Sequence, residues 1–165
     1  MNSIILMLML AFAPALSGTK APAAGGWLTY KGAWFEVRYP STFKARPSLR
    51  GSSASGFDSV FFTAPDRSVE FYVFSPQWNG DPSDIQIKDS EVLVSQASEK
   101  RGEATVRRVT VRARDNSYTR SFEDTEDAAT NTRKVFGIKY LDQNAYNRYR
   151  QTYLTFKQSL KQFAD

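Results

Sequence analysis

The chain has 165 residues, 41% of them hydrophobic and 24% charged, and its 22 Lys plus Arg against 17 Asp plus Glu leave a net charge of +5. It has no Cys and no His, and its three Met stand at positions 1, 7 and 9. These absences exclude disulfides, Ser-His-Asp and Cys-His nucleophile systems, and the His- or Cys-based zinc, copper and haem sites, leaving only carboxylate, Lys, Tyr or Ser-Lys chemistry to a catalyst.

At the amino end, Ile4 to Leu16 reads IILMLMLAFAPAL without a charge, shorter than the roughly 20 apolar residues that span a bilayer. Pro14 followed by Ala15-Leu16-Ser17 places small residues where a signal peptidase inspects them. Residues 1–17 therefore read as a secretory signal and 18–26, GTKAPAAGG, as a flexible spacer. The expected location is the periplasm or the exterior, with no lipid anchor because no Cys follows the signal. Residues 27–165 are expected to form one domain, since a chain of this size buries roughly 68–70% of its unfolded surface.

The next elements alternate with period two. In WFEVRYPSTF, Phe35, Val37 and Tyr39 share one face, and Pro40 ends the ladder because it has no amide hydrogen to donate. Ser41 is then expected to start a short turn that tucks Phe43 under the sheet. Gly51 to Gly56, GSSASG, nearly imitates a nucleophile elbow, but its last Gly is displaced and no His exists to act as base, so it reads as a loop. FDSVFFTA (57–64) and VEFYVFS (69–75) are apolar on both faces, as strands covered on both sides are. Pro76 to Asp84 forms a long irregular connection whose Trp78 is a candidate partner contact.

The middle of the chain reads as an antiparallel meander. A turn at Asp115-Asn116 sets Val109 opposite Phe122, Arg108 opposite Glu123 and Arg112 opposite Thr119. A turn within Lys100 to Glu103 sets Val94 opposite Val109, and the strand KVFGIKYL (134–141) is expected to place Phe136 opposite Phe122. The acidic run Glu123 to Asp127 lacks the spaced oxygens and turn glycine of a calcium loop and reads as the solvated end of a hairpin. The period then changes. After Asp142 as N-cap, Tyr146, Tyr149, Tyr153, Phe156, Leu160 and Phe163 fall at helical spacing on one stripe, with Arg148, Arg150, Lys157 and Lys161 behind. An amphipathic helix packed on the sheet is expected, the sheet needing a cover.

The stretch FEVRYPSTF, two hydrophobic strands ending near Ser75-Pro76, the meander and the closing YLTFKQSLK helix together resemble the PsbP-like family. This family comprises extrinsic photosystem II subunits, their bacterial relatives and a Ran-binding nuclear protein of the same fold. The resemblance implies an α+β fold, an antiparallel sheet flanked by helices in an α/β/α sandwich, and accessory or binding proteins that are mostly not enzymes. With no histidine to match the ion-binding positions of the photosynthetic members, no family site transfers, and a non-photosynthetic bacterial member is the expectation.

For function, Arg108, Arg112 and Arg114 are expected on one sheet face with Thr110 between them, a candidate site for an anionic partner, or else a solvated face paired with Glu123 and Asp124. Arg120 points to the side of Val109, Val111 and Phe122, where it snorkels to the edge or meets a buried carboxylate or a ligand anion. No cofactor, metal or nucleic acid is expected. The function expected is an exported, non-enzymatic accessory or binding protein of the cell envelope that recognises a protein or an anionic envelope component. The alternatives are a hydrolase-type enzyme with carboxylate or Ser-Lys chemistry and a peripheral binder of anionic membrane surfaces.

Overall fold

A computed structural model describes residues 25–52 and 55–163. The expected secretory signal, and all of the expected spacer except Gly25 and Gly26, lie outside the described residues. The strands form two sheets. In the smaller one, β1 (Trp27–Lys31) and β2 (Phe35–Pro40) pair as a hairpin, and the short β10 (Lys161–Gln162) lies along the other side of β2. The larger contains β3 (Lys44–Pro47), β4 (Ser59–Thr63), β5 (Val69–Phe74), β6 (Glu91–Arg101), β7 (Ala104–Ala113), β8 (Thr119–Asp127) and β9 (Thr132–Tyr140). Its order is β3-β4-β5-β9-β8-β7-β6, antiparallel throughout.

Pro40 closes β2, and the Phe43 amide donates to the Pro40 carbonyl at 2.9 Å, turning the chain into the larger sheet. Phe43 is thereby buried against Phe71 and Tyr149, with ring centroids 5.1 and 5.7 Å away. Helix α1 (Gln143–Gln158) begins where expected, the Asp142 side chain accepting from the Ala145 amide at 2.8 Å. It covers β4, β5 and β9: Phe156, fully buried, meets the rings of Phe62, Phe71, Phe136 and Tyr153. The apolar stripe ends before Phe163, which is 47% exposed, because the chain leaves the helix at Ser159 and pairs with β2. The fold is thus α+β with an amphipathic C-terminal helix on one face of the main sheet. On the opposite face the expected helical layer is reduced, among the described residues, to the single 3₁₀ turn Ser83–Ile85 within an irregular strap, residues 75–90.

The register explains this division. Val109 opposes Phe122, Arg108 opposes Glu123 and Arg112 opposes Thr119 as expected, the loop being closed by Asp115, which accepts from the Ser117 amide and hydroxyl. The other two pairings differ. Gly102 adopts φ +63°, so the β6–β7 turn lies one residue later than expected, at Gly102-Glu103, and Gln96 takes the place expected for Val94 opposite Val109. A ladder irregularity between Leu93 and Ser95 leaves Val94 54% exposed. Between β8 and β9, Gly137 and not Phe136 opposes Phe122. One residue of slip turns a side chain to the other face, and Phe136 accordingly joins the helix-covered core while Phe122 packs with Tyr72 and Val135 on the far face.

Candidate functional site

The far face is organised in rows across the strands. One runs Arg46, Phe61, Tyr72, Gly137, Phe122 and Val109 from β3 to β7, and the next runs Glu70, Lys139 and Arg120. Gly137 interrupts the aromatic row. A Cβ there would lie 2.7 Å from the Phe122 ring and 3.1 Å from Tyr72 Cβ, so those two side chains already close over the glycine and take the space its own side chain would need. Together they floor a cleft of about 260 Å³, walled by Phe61, Tyr118 and the end of the strap.

Three polar clasps hold the strap against the sheet. At its start, Arg133 donates to the Gly80 carbonyl at 2.7 Å while gripping Asp124 through Nε and Nη2 at 2.9 and 2.7 Å. In the 3₁₀ turn, the Asp84 carboxylate accepts from Ser48 at 2.8 Å, Ser59 at 2.7 Å and Tyr72 at 3.2 Å. Burial, then the Asp84 charge, push the Tyr72 phenol above its ordinary range, so Tyr72 stays a donor. At the far end, Arg120 donates through Nε and Nη2 to the two oxygens of Glu91, and again to the carbonyls of Gln86 at 2.6 Å and Asp84 at 3.3 Å. Burial alone would raise the Glu91 carboxyl. Hydrogen bonds from Arg120, the Lys88 amide and the Tyr118 hydroxyl, with the Arg120 charge, instead pull it down to about 2.

Around the cleft, cations rest on rings. The Arg46 guanidinium lies 4.4 Å from the Phe61 centroid, and its approach to Glu70 is 3.9 Å. The Lys139 amine stands 4.3 Å from the Tyr118 centroid, and Lys88 projects from the exposed strap. Among the described residues neither lysine amine has a carboxylate within ion-pair distance. The wall's carboxylates are engaged: Asp84 by three hydroxyls, Glu91 by Arg120, and Glu70 by the Thr63 hydroxyl at 2.9 Å. Such a site can hold an anion and stack an apolar body, because uncompensated cations and ring faces are what it offers.

The residues singled out from sequence do not converge here as a group. Arg120 forms part of the wall but does not snorkel; it is 6% exposed and committed to Glu91, leaving little of it for a ligand anion. Arg108, Thr110 and Arg112 do share a face, on the other side of the sheet from Arg120. Arg108 is neutralised there by Glu99 at 2.9 Å and Glu123 at 3.1 Å, and Glu123 also takes Lys157 of α1 at 2.7 Å. Arg112 is exposed. Arg114 does not belong to that row, lying beyond the end of β7 and donating to the Asp89 carbonyl at 2.9 Å. The acidic run does end the β8–β9 hairpin, Asp127 accepting from the Ala129 and Thr130 amides, but it is not simply solvated, since Glu123, Asp124 and Glu126 pair with Arg108, Arg133 and Arg107. Trp78, 42% exposed, lines a separate hollow of about 370 Å³ with Arg50, Phe74 and Asp58.

Sequence reasoning missed Arg46, Lys88 and Lys139, which come from β3, the strap and β9. No signal in the sequence pointed to them: the expected pairing of Phe136 with Phe122 sets Ile138 opposite Arg120, and Lys139 faces Arg120 only after the observed one-residue slip.

Comparison with known proteins supports the fold. No family model and no curated protein matches the chain. Among solved structures, the solution structure of cyanobacterial PsbP (CyanoP) from Synechocystis sp. PCC 6803 is similar with a TM-score of 0.52 and 11% identity, over 91% of this chain and 100% of that one. The fold of this chain is PsbP-like.

Proposed function

We propose that this chain is an exported, non-enzymatic binding protein of the cell envelope that recognises a protein partner or an anionic envelope component through the face of the sheet opposite α1. The observation that carries this reading is the cleft beside Gly137, at whose rim Lys139, resting on the Tyr118 ring, and the exposed Lys88 have no carboxylate partner among the described residues. The engaged state of the nearby carboxylates supports recognition over hydrolysis. Ser48, Ser59 and Tyr72 direct their hydroxyls to Asp84, so these groups serve the strap and not a reacting centre. The charge-free leader at 4–16 supports export, and no helix among the described residues is long and apolar enough to cross a membrane.

The test is photocrosslinking in the native cells, with benzoylphenylalanine placed at Lys88 on the cleft rim or at Gln151 on the exposed side of α1. Discrete adducts from position 88 and none from 151, in an envelope fraction that holds the protein shortened at its amino end, are expected. Identical adduct patterns at both positions, no adduct at 88, or recovery of the protein in the cytoplasm with its leader intact would each overturn the reading.

A further inference from the structure

We infer that the cleft over Gly137 is a binding site for a small organic anion with a flat apolar body, an aromatic carboxylate being its simplest form. This rests on the reading of the far face as the recognition surface and specifies the chemistry it takes. The shape comes first. Tyr72 and Phe122 stand on either side of a glycine in one sheet row, with ring centroids 6.4 Å apart and planes at 89°, and Phe61 lies beside Tyr72 at 4.7 Å. The Tyr72 and Phe122 rings already meet edge to face, with Phe122 lying against Gly137, so a ligand ring sits on the outer side of this aromatic floor beside Phe61 and Tyr118, and the cleft of about 260 Å³ accepts one ring system and its substituent but not a drug-sized molecule.

The sign of the charge follows from what is already paired. Arg120 is cancelled by Glu91, while Asp84, bonded by three hydroxyls, and Glu70, bonded by Thr63, keep their negative charges. The cations left facing the opening are Lys139, Lys88 and the loosely paired Arg46. These three belong to separate elements that the clasps hold in place, so the rim is organised before a ligand arrives and little ordering opposes binding. A carboxylate at the rim gains charge-assisted hydrogen bonds from the Lys139 amine, which rests on the Tyr118 ring, and from the exposed Lys88 amine. With Arg120 cancelled by Glu91, the cations Arg46, Lys88 and Lys139 outnumber the carboxylates Glu70 and Asp84, so an anion is favoured over an ammonium.

The experiment is an NMR titration of the ¹⁵N-labelled full-length chain with phenylacetate, and in parallel with benzyl alcohol, benzylamine and acetate. Phenylacetate is expected to shift the amides of Gly137, Phe122 and Lys139 with a Kd of the order of 100 μM. The alcohol and acetate, each lacking one half of the ligand, are expected to bind at least about tenfold more weakly, and the amine not to bind. Lys88→Gln/Lys139→Gln, whose replaced amines have no ion pair to lose, is expected to weaken phenylacetate about fivefold or more with the amide spectrum otherwise intact. Gly137→Ala is expected to abolish binding. Should Gly137→Ala fail to fold, the double lysine variant decides alone. No shift at Gly137 and Phe122 by several millimolar, equal shifts with benzylamine, or unchanged affinity in the lysine variant would overturn the inference. The two readings fail separately: adducts at position 88 without phenylacetate binding leave the recognition surface and remove this ligand class, and phenylacetate binding without adducts does the reverse.

Discussion

Arg120 on β8 and Glu91 at the start of β6 meet through two hydrogen bonds of 2.5 Å, with their side chains 7% and 0% exposed. The same guanidinium reaches the carbonyls of Gln86 and Asp84, so one side chain joins the sheet to the strap that walls the cleft. Glu91→Gln keeps the volume and leaves Arg120 buried without its counter-charge, which costs about 3–5 kcal/mol. The pair Glu91→Leu/Arg120→Met removes both charges and is expected to recover part of that loss, but not all, because two strap carbonyls lose their donor. Urea denaturation of the three proteins measures this. A Glu91→Gln variant within about 1 kcal/mol of the parent would show that the clasp is dispensable.

Acid should loosen the same clasp. The Glu91 carboxyl is held at about 2 in the folded chain against an ordinary 4.5, so it binds its proton less readily folded than unfolded. The stability it contributes is present in full above the unfolded value and is lost as pH falls through the window from about 5 to about 2. Midpoints of thermal unfolding followed across that window are expected to drop more steeply for the parent than for Glu91→Leu/Arg120→Met. Parallel curves would contradict the assignment.

Asp58 has the opposite sign. It is 7% exposed, its Oδ1 finds no hydrogen-bond partner among the described residues, and burial pushes its carboxyl above the ordinary range. A raised carboxyl costs stability at neutral pH, and the cost fades as the pH falls and the group is protonated. Asp58→Asn is therefore expected to stabilise the protein at pH 7 by about 1 kcal/mol, with the advantage shrinking towards pH 4. Calorimetry at the two pH values checks it, and a destabilised variant at pH 7 would refute it.

Gly137→Ala tests the floor of the cleft independently of ligand. The new Cβ would meet the Phe122 ring at 2.7 Å and Tyr72 Cβ at 3.1 Å; the ring can swing, but the second contact is held by β5. Overpacking of this kind costs about 1–3 kcal/mol. The near-ultraviolet dichroism of the tyrosines should change with it, as Tyr72 is displaced. An unchanged spectrum and stability would mean that the row has room to spare.

Features that depend on near neighbours were legible in the sequence. The alternation in FEVRYP, the break at Pro40, the N-cap at Asp142 and the stripe of Tyr149, Tyr153 and Phe156 all appear as read, because each follows from backbone geometry within a few residues. The β7–β8 pairing was legible for the same reason, its loop being closed by Asp115 on Ser117. For the candidate site the legible part was Arg120, whose place on the face of Phe122 followed from that pairing, although its partner did not.

Pattern and element type are thus what the sequence by itself determined: apolar faces repeating at two or 3.6 residues, and where each repeat stops. Tertiary structure alone decided which face met the helix and what gathered on the other. A strand of period two satisfies either of two registers a residue apart, and the choice of Gly137 over Phe136 opposite Phe122 came from the length of the preceding turn and from the space beneath α1. That single choice sent Phe136 into the core, brought Gly137 beneath the Phe122 ring, and set Lys139 on the row beside it. Arg46, Lys88 and Lys139 then came together from separate parts of the chain, an arrangement set by through-space packing and charge that no local periodicity encodes.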